Sequence, residues 1–267
     1  MEATMRRARN GSVELAVESR GRGPALVVGH GLTGTRHVSF EQYAPLQDRF
    51  TVVAFDQRGH GDSTPLTDVT AYDPQAMADD VAAVFDEVGV QRAVLAAESM
   101  GAVGALLFAL QHPERVEKLL LTGPAFGDTI SLRRAWLRGI GEEITTLGYD
   151  AYLKLLEGRL RNDLGLDADA TAARLAVYQS HDPASLATAF RATSEWVPFP
   201  DLSVLRNLRV PVSIVAWPGD DLHPLPLAQR MAEQLPDATL SLIDSIIQVL
   251  SDPASAVRPH FAHLPVG

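Results

Sequence analysis

Residues 93–101 read AVLAAESMG, a stretch in which a short apolar strand pattern passes directly into a helical pattern at a serine. Two small residues, Ala97 and Gly101, stand two positions before and two positions after Ser99. This spacing is typical of a sharp strand-to-helix turn, which lifts the serine hydroxyl above the edge of a sheet. Alanine replaces the more usual glycine at the first small position, and an ordinary turn serine fits the motif alone equally well. Ser99 is therefore a candidate nucleophile that needs support from the rest of the chain.

The strand patterns on both sides of Ser99 indicate an α/β protein. Short apolar runs rich in β-branched residues predict strands at 13–17, 25–28, 51–55, 93–97, 116–121, 212–216 and 239–243. Helical patterns separate most of them, and one begins at Asp73-Pro74, where an N-cap residue precedes proline at the first helical position. The alternation of strands and helices predicts a mostly parallel sheet with helices on both faces.

A region without strand patterns interrupts this alternation after Pro124. It contains only helical patterns, at 132–140, 149–160, 170–180 and 184–196. Because strand patterns return afterwards, we interpret residues 125–198 as a helical lid inserted into an α/β core formed by residues 1–124 and 199–267. The ligand crevice of open α/β sheets lies at the carboxyl ends of the strands, so the lid is expected over that edge.

The composition excludes several classes of site and disfavours several classes of partner. The 267 residues include no cysteine, which excludes disulfides, thiolate zinc sites and a cysteine nucleophile. The net charge of −10 disfavours a nucleic-acid partner, because phosphate backbones require a basic face. The sequence shows neither a secretory pattern nor an apolar run long enough to cross a bilayer. We therefore expect a cytoplasmic protein that acts on a small-molecule substrate without a membrane partner, metal or cofactor; its oligomeric state is left open.

Two loops and a connecting segment extend the pattern around Ser99. Residues 30–34 read HGLTG after the second predicted strand, residues 56–63 read DQRGHGDS after the third, and residues 111–116 read QHPERV. Together with the serine turn, and in this order, they resemble the α/β-hydrolase superfamily over nearly the whole chain. The resemblance implies an α/β-hydrolase fold with Ser99 at its nucleophile elbow.

The resemblance also implies an oxyanion hole and an acid. Two backbone N–H groups would hold the oxyanion, one from Met100 and the other from Leu32, just after the His-Gly pair. The acid is expected in the segment WPGDDLHP that follows the strand at 212–216. Asp220 is the first candidate and Asp221 the second, and the aspartate that is not the acid would cap the next helix.

The catalytic histidine of the superfamily is missing from its usual place after the last strand. Ile247 and Gln248 stand there instead, and neither side chain can accept a proton from serine as an imidazole does. His223, three residues after Asp220, is the preferred substitute, although a surface loop histidine fits that position equally well.

Three further residues are weaker candidates for the base. His260 and His263 lie in the C-terminal segment, where we expect solvent-exposed histidines. Glu98 precedes the nucleophile, and we expect its side chain to form a hydrogen bond behind the elbow. His30 and His60 are expected to brace their loops.

These residues favour a hydrolase that uses Ser99, Asp220 and His223 on a small hydrophobic carboxylic ester or lactone. The apolar character of the substrate is inferred from residues of the predicted lid that could equally pack the lid onto the core: Trp136, Leu137, Tyr149, Tyr152, Phe190 and Trp196. Because the usual histidine is absent, two alternatives stay open. One is a non-hydrolytic enzyme of the same fold, such as a lyase, a cyclase or a cofactor-free oxygenase, and the other is a catalytically impaired ligand-binding member.

Overall fold

An eight-stranded sheet organises the chain, which a computed structural model describes over residues 3–264. The strands are Thr4–Asn10 (β1), Val13–Gly21 (β2), Ala25–Gly29 (β3), Thr51–Phe55 (β4), Ala93–Glu98 (β5), Val116–Thr122 (β6), Val212–Ala216 (β7) and Ala238–Leu242 (β8). Their order across the sheet is β1-β2-β4-β3-β5-β6-β7-β8. The outermost positions of the two predicted core segments, residues 1–2 and 265–267, lie outside the described residues.

Helices connect the strands and cover the sheet. They are Arg36–Gln42 (α1), Pro74–Glu87 (α2), Met100–Gln111 (α3), Arg134–Leu147 (α4), Tyr149–Gly158 (α5), Ala168–Gln179 (α6), Pro183–Thr193 (α7), Leu225–Gln234 (α8), Ile246–Ser251 (α9) and Arg258–Phe261 (α10). Within residues 3–264, no helix has the length and apolar character that crossing a bilayer requires.

The pairing of the strands confirms the predicted, mostly parallel sheet. Only the β1–β2 and β2–β4 pairs are antiparallel, and every pair from β4–β3 to β7–β8 is parallel. Strand β1 escaped prediction because its sequence, TMRRARN, has no apolar alternation. It forms an exposed edge of the sheet, where pairing with β2 rather than burial fixes its conformation.

Successive residues of the central strands contribute to two separate cores, as the two-residue period of a strand requires. Val27 and Leu95 pack beneath α2, α3 and α8 on one face of the sheet. Leu26, Val28 and Val94 pack on the opposite face, against α1 and the C-terminal segment. Parallel strands that are buried on both faces explain why the central runs are continuously apolar.

The segment between β6 and β7 contains α4, α5, α6 and α7 and, like the sequence pattern, no strand. Side chains of these helices form a third apolar cluster, which includes Tyr152 of α5 and Phe190 of α7. The same cluster contains Leu32, in the loop after β3, and Met100, the first residue of α3 after the carboxyl end of β5. These four helices therefore pack over the edge of the sheet where Ser99 lies.

Candidate active site

The turn between β5 and α3 holds Ser99 in a backbone conformation that non-glycine residues seldom adopt. Ser99 has a φ of 50° and a ψ of −112°, and it is the only non-glycine residue with a positive φ among residues 3–264. Its N–H donates to the carbonyl oxygen of Thr122 at 3.0 Å, which ties the turn to β6. A conformation of this kind costs about 1–3 kcal/mol and is characteristic of a turn that presents a nucleophile.

Small residues around the turn allow three backbone segments to meet at Ser99. A Cβ atom on Gly101 would lie 2.7 Å from the carbonyl oxygen of His30, and a Cβ atom on Gly31 would lie 3.2 Å from Cβ of Ser99. Ala97 is accommodated because its neighbour across the sheet is Gly29, which has no side chain to crowd the methyl group. The His-Gly loop and the serine turn thus carry small residues at the positions where they contact each other.

Ser99, His223 and Asp220 form a continuous chain of hydrogen bonds. Nε2 of His223 lies 3.0 Å from Oγ of Ser99, and Nδ1 of His223 lies 2.7 Å from Oδ2 of Asp220. An ionised carboxylate can only accept hydrogen bonds, so Nδ1 carries the proton and donates to Asp220. Nε2 is then free to accept the hydrogen bond of the Ser99 hydroxyl. The structure thus brings together the three residues that the sequence had nominated.

Local hydrogen bonds in the loop after β7 explain how Asp220 and His223 meet although only two residues separate them. The backbone N–H groups of Leu222 and His223 both donate to Oδ1 of Asp220, at 2.8 Å and 3.3 Å. An aspartate that binds the backbone two and three residues ahead folds the chain into a tight turn. This turn directs the imidazole of His223 onto the second carboxylate oxygen.

The environment of Asp220 keeps its carboxyl group ionised. Burial opposes ionisation, but hydrogen bonds from His223, Trp217 and the Leu222 backbone outweigh burial and hold the pKa of Asp220 well below its ordinary range. Trp217 donates its hydrogen bond from Nε1–H to Oδ2 at 2.9 Å, and its buried ring lies 5.2 Å from the ring of His223. Trp217 therefore positions both residues, a role that no sequence motif indicated.

Asp221, the second candidate for the acid, points away from this chain of hydrogen bonds. Its side chain is largely exposed, and its nearest cationic partner is Arg133 at 3.7 Å. The place of the usual histidine is occupied by α9, whose residue Ile247 packs against the apolar cluster of the α4–α7 helices. Gln248 instead accepts a hydrogen bond from the N–H of Asp244 at 3.2 Å.

The other candidate bases lie away from the Ser99 hydroxyl. His260 is completely buried, contrary to our expectation, because its Nδ1 and Nε2 lie 2.8 Å from Ser213 Oγ and 3.0 Å from Thr122 Oγ1. Burial lowers the pKa of His260 to about 3. Glu98 accepts a hydrogen bond from Gln42 at 3.0 Å, as expected for a side chain behind the elbow.

The two backbone N–H groups named for the oxyanion hole belong to segments that adjoin Ser99: Met100 begins α3 directly after it, and Leu32 follows Gly31 in the His-Gly loop. Within residues 3–264, neither the N–H of Leu32 nor that of Met100 donates to a protein acceptor. The carbonyl oxygen of Leu32 accepts a hydrogen bond from Nε2 of His60 at 2.6 Å. His30 joins the His-Gly loop to the DQRGHGDS loop, because its Nε2 accepts a hydrogen bond from the N–H of Gln57 at 3.0 Å. Both histidines thus brace their loops, as predicted.

A buried ion-pair network, which the sequence did not reveal, fixes the loop that contains Leu32. Arg36 forms ion pairs with Asp56 and, at 2.7 Å, with Asp62, and its backbone N–H donates to Asp56 at 2.7 Å. Glu18 on β2 is a third partner of the guanidinium, at 3.3 Å. Asp56, the first residue of the DQRGHGDS loop, therefore anchors the start of α1, which follows the His-Gly loop.

Several known proteins of related sequence carry the names of hydrolases. The family described as the alpha/beta hydrolase fold matches residues 24–151. RutD of Caulobacter sp. (strain K31), a proposed carbamate hydrolase, is 29% identical over 224 residues, which are 81% of each chain. The 2-(acetamidomethylene)succinate hydrolase of Mesorhizobium japonicum is 34% identical over 115 residues, which are 43% of this chain and 41% of the relative.

Solved structures share the fold over nearly the whole length of the chain. An esterase from Thermogutta terrifontis superposes with a TM-score of 0.78 at 22% identity, covering 98% of this chain and 99% of the esterase. The enol-lactonase from Burkholderia xenovorans LB400 superposes with a TM-score of 0.79 at 19% identity, covering 97% and 98% of the two chains. Fold, motif order and sequence relatives together support a hydrolase of the α/β-hydrolase superfamily, and the family match itself covers residues 24–151.

Proposed function

We propose that the protein is a serine hydrolase that cleaves a small, largely apolar carboxylic ester or lactone. The observation that carries the proposal is the unbroken path of hydrogen bonds from Ser99 Oγ through the His223 imidazole to the Asp220 carboxylate. Serine is a weak nucleophile without an adjacent base, and here a histidine from the acid loop supplies that base.

In the proposed reaction, Ser99 Oγ attacks the carbonyl carbon while its proton passes to Nε2 of His223. Asp220, ionised and bound to Nδ1–H, stabilises the imidazolium that results. The imidazolium then gives its proton to the departing alkoxide, which leaves an acyl group on Ser99. A water molecule, deprotonated by the same nitrogen, releases the acid and restores the serine.

The negative oxygen of each tetrahedral intermediate would be stabilised by the N–H groups of Leu32 and Met100. Two features support this assignment. Neither N–H has a protein acceptor among residues 3–264, and both residues adjoin Ser99, Met100 as its successor and Leu32 through Gly31. Removing one donor of this kind typically lowers the rate about 100- to 1,000-fold. The hydrogen bond of His60 to the Leu32 carbonyl keeps that peptide from rotating.

We further propose that residues 125–198 form the lid over the site. Their helices share one apolar cluster with both oxyanion-hole residues, and this cluster includes Leu156 and Phe190. A cover of this composition excludes water from the reaction and favours an apolar substrate body. The names of the relatives, which include a 3-oxoadipate enol-lactonase of Acinetobacter baylyi, point to the same class of acyl chemistry.

The presence of His223 at the nucleophile removes the reason for preferring a non-hydrolytic or ligand-binding role. The absent histidine after β8 was the argument for those alternatives, and the loop after β7 provides an imidazole in its stead. The hydrolase proposal therefore uses every polar side chain in contact with Ser99 Oγ.

Hydrolysis of short 4-nitrophenyl esters and lactones tests the proposal. Wild-type protein should release 4-nitrophenol from the acetate or butyrate ester, and Ser99→Ala should reduce kcat to the background rate. Ser12→Ala, which changes an exposed serine, is the matched control and should keep full activity. Turnover of neither esters nor lactones by well-folded wild-type protein would refute the proposal.

A further inference from the structure

Arg174 on α6 carries a positive charge that no protein carboxylate neutralises within residues 3–264. Its Nη2 donates to Oγ1 of Thr33 at 2.6 Å, and its guanidinium carbon lies 5.8 Å from the ring centre of Tyr178. Other arginines of this helical region have acidic partners: Arg133 with Asp221, Arg134 with Glu195, Arg138 with Glu142, Arg159 with Glu143 and Arg161 with Glu157. Arg191, which is also half-buried, lacks an acidic partner too, but its hydroxyl partner Thr188 lies on its own helix, whereas Arg174 contacts the loop beside Ser99.

The guanidinium of Arg174 lies beside the loop that adjoins the nucleophile. Its acceptor, Thr33, directly follows Leu32, the proposed oxyanion donor, and Gly31 is packed against Ser99. The N–H of Gly34 donates to the carbonyl oxygen of Gly31 at 2.9 Å, which folds this segment into a tight turn. Two residues of chain span at most about 7 Å, so Thr33 is separated from the nucleophile by a short distance.

The guanidinium contacts the Thr33 hydroxyl and lies near the ring of Tyr178, and Tyr178 belongs to the apolar cluster of the helical region. Leu32, Met100, Leu166 and Tyr178 belong to one apolar cluster, and Ile247 packs against it. Because Arg174 is half-buried, its charge is less screened by water than a fully exposed charge, and a charged partner would bind more strongly there than at an exposed surface. A guanidinium is the side chain best matched to a carboxylate, because its planar fork can donate two parallel hydrogen bonds.

We propose that Arg174 binds a carboxylate group of the substrate, so that the enzyme acts on an ester or lactone whose acyl part also bears a free carboxylate. The inference rests on the proposed serine hydrolase activity and narrows its substrate class. The substrate would place its carbonyl at Ser99 and its carboxylate at Arg174, with a short apolar chain between them.

A purely structural role for Arg174 predicts a different behaviour. In that role the arginine would only tie α6 to the oxyanion loop through Thr33, and its loss would affect every substrate equally. A carboxylate subsite instead predicts that the loss depends on the charge of the substrate. Thr33→Val separates the two roles further, because it removes the tie and leaves the guanidinium in place.

The test compares two esters of equal chain length that differ in one charge. Mono-4-nitrophenyl glutarate carries a free carboxylate, whereas 4-nitrophenyl pentanoate ends in a methyl group. Wild-type protein should prefer the glutarate ester, and Arg174→Gln should lower kcat/KM for that ester about 10- to 100-fold, the effect of losing a charged hydrogen bond. The pentanoate ester should change less than about two-fold.

Arg191→Gln is the matched control and should leave both rates unchanged. Arg191 is also an arginine of the helical region with a threonine hydroxyl as its partner, Thr188 at 3.0 Å, and no acidic partner within residues 3–264. Equal losses on both esters in Arg174→Gln, or a wild-type protein that shows no preference, would overturn the carboxylate subsite and leave the hydrolase proposal standing.

A binding measurement keeps the two proposals separable if wild-type protein hydrolyses neither ester. Titration calorimetry on Ser99→Ala protein should show tighter binding of monomethyl glutarate than of methyl pentanoate, and adding Arg174→Gln should abolish the difference. Equal binding of the two compounds would refute the subsite whatever the catalytic result.

Discussion

Replacing His223 with alanine removes the imidazole that contacts Ser99 and leaves the elbow intact. The turn is held by the hydrogen bond between the N–H of Ser99 and Thr122, and by close packing with Gly31, neither of which involves His223. Asp220 keeps its hydrogen bonds from Trp217 at 2.9 Å and from Leu222 at 2.8 Å. We therefore expect the variant to fold and to retain the acid loop.

The expected loss follows from the role of the base. General-base catalysis contributes about 100- to 10,000-fold, so kcat for 4-nitrophenyl butyrate should fall within that range. Members of one catalytic unit act non-additively, so the double variant Ser99→Ala, His223→Ala should be no slower than Ser99→Ala alone. A double-mutant cycle measured under saturating substrate gives the coupling directly.

His112→Ala is a suitable control, because His112 is partly exposed at the end of α3 and its acidic neighbour is Glu114 at 3.7 Å. It should leave kcat unchanged. Activity of His223→Ala within about two-fold of wild type, with matching circular dichroism spectra, would refute the assignment of His223 as the base.

Three further predictions concern the framework of the site. The folded pKa of His260, about 3, lies below its unfolded value of 6.5, so its stabilising contribution is complete above pH 6.5 and falls as the pH drops towards 3. The free energy of unfolding, measured by urea denaturation at each pH from 7 to 4, should fall less steeply with pH in His260→Gln, by about 1.4 kcal/mol per pH unit. An unchanged pH dependence would contradict burial of His260 as a neutral imidazole. Gly101→Ala should destabilise the protein by about 1–3 kcal/mol in thermal unfolding, because the new methyl group meets the His30 carbonyl, whereas Gly139→Ala, where the space is open, should not. Asp56→Asn should lower the free energy of unfolding, measured by urea denaturation, by about 3–5 kcal/mol, because Arg36 loses its buried ion-pair partner. A decrease below about 1 kcal/mol would contradict a structural role for that ion pair.

Local sequence patterns were sufficient to predict the sheet and its serine turn. The parallel strands are continuous apolar runs because both of their faces are buried, and the small residues around Ser99 are required by close backbone contacts. Each of these constraints restricts the residue types of a short consecutive stretch, so a motif records it. Strand β1 was missed because its conformation depends on pairing with β2 and leaves no mark on its own residues.

Asp220 and His223 could be nominated together because one turn of the chain contains both. Arg36 and Arg174 could not, since their contacts join segments that are distant in sequence. Trp217 lies only three residues from Asp220, but it belongs to no motif that assigns it a role. Arg36 meets Asp56 across 20 residues, and Arg174 meets Thr33 across 141. His260 was expected to be exposed because its position near the terminus gave no sign of the hydroxyl partners on β6 and β7.

The most direct test of the central claim is the rate at which a fluorophosphonate labels Ser99, followed by peptide mass spectrometry in wild-type protein and in His223→Ala. Labelling needs an activated serine but no knowledge of the natural substrate. We predict an adduct on Ser99 alone, which forms at least about 100-fold more slowly in the variant. An adduct on another residue, no adduct, or equal rates in the two proteins would contradict it.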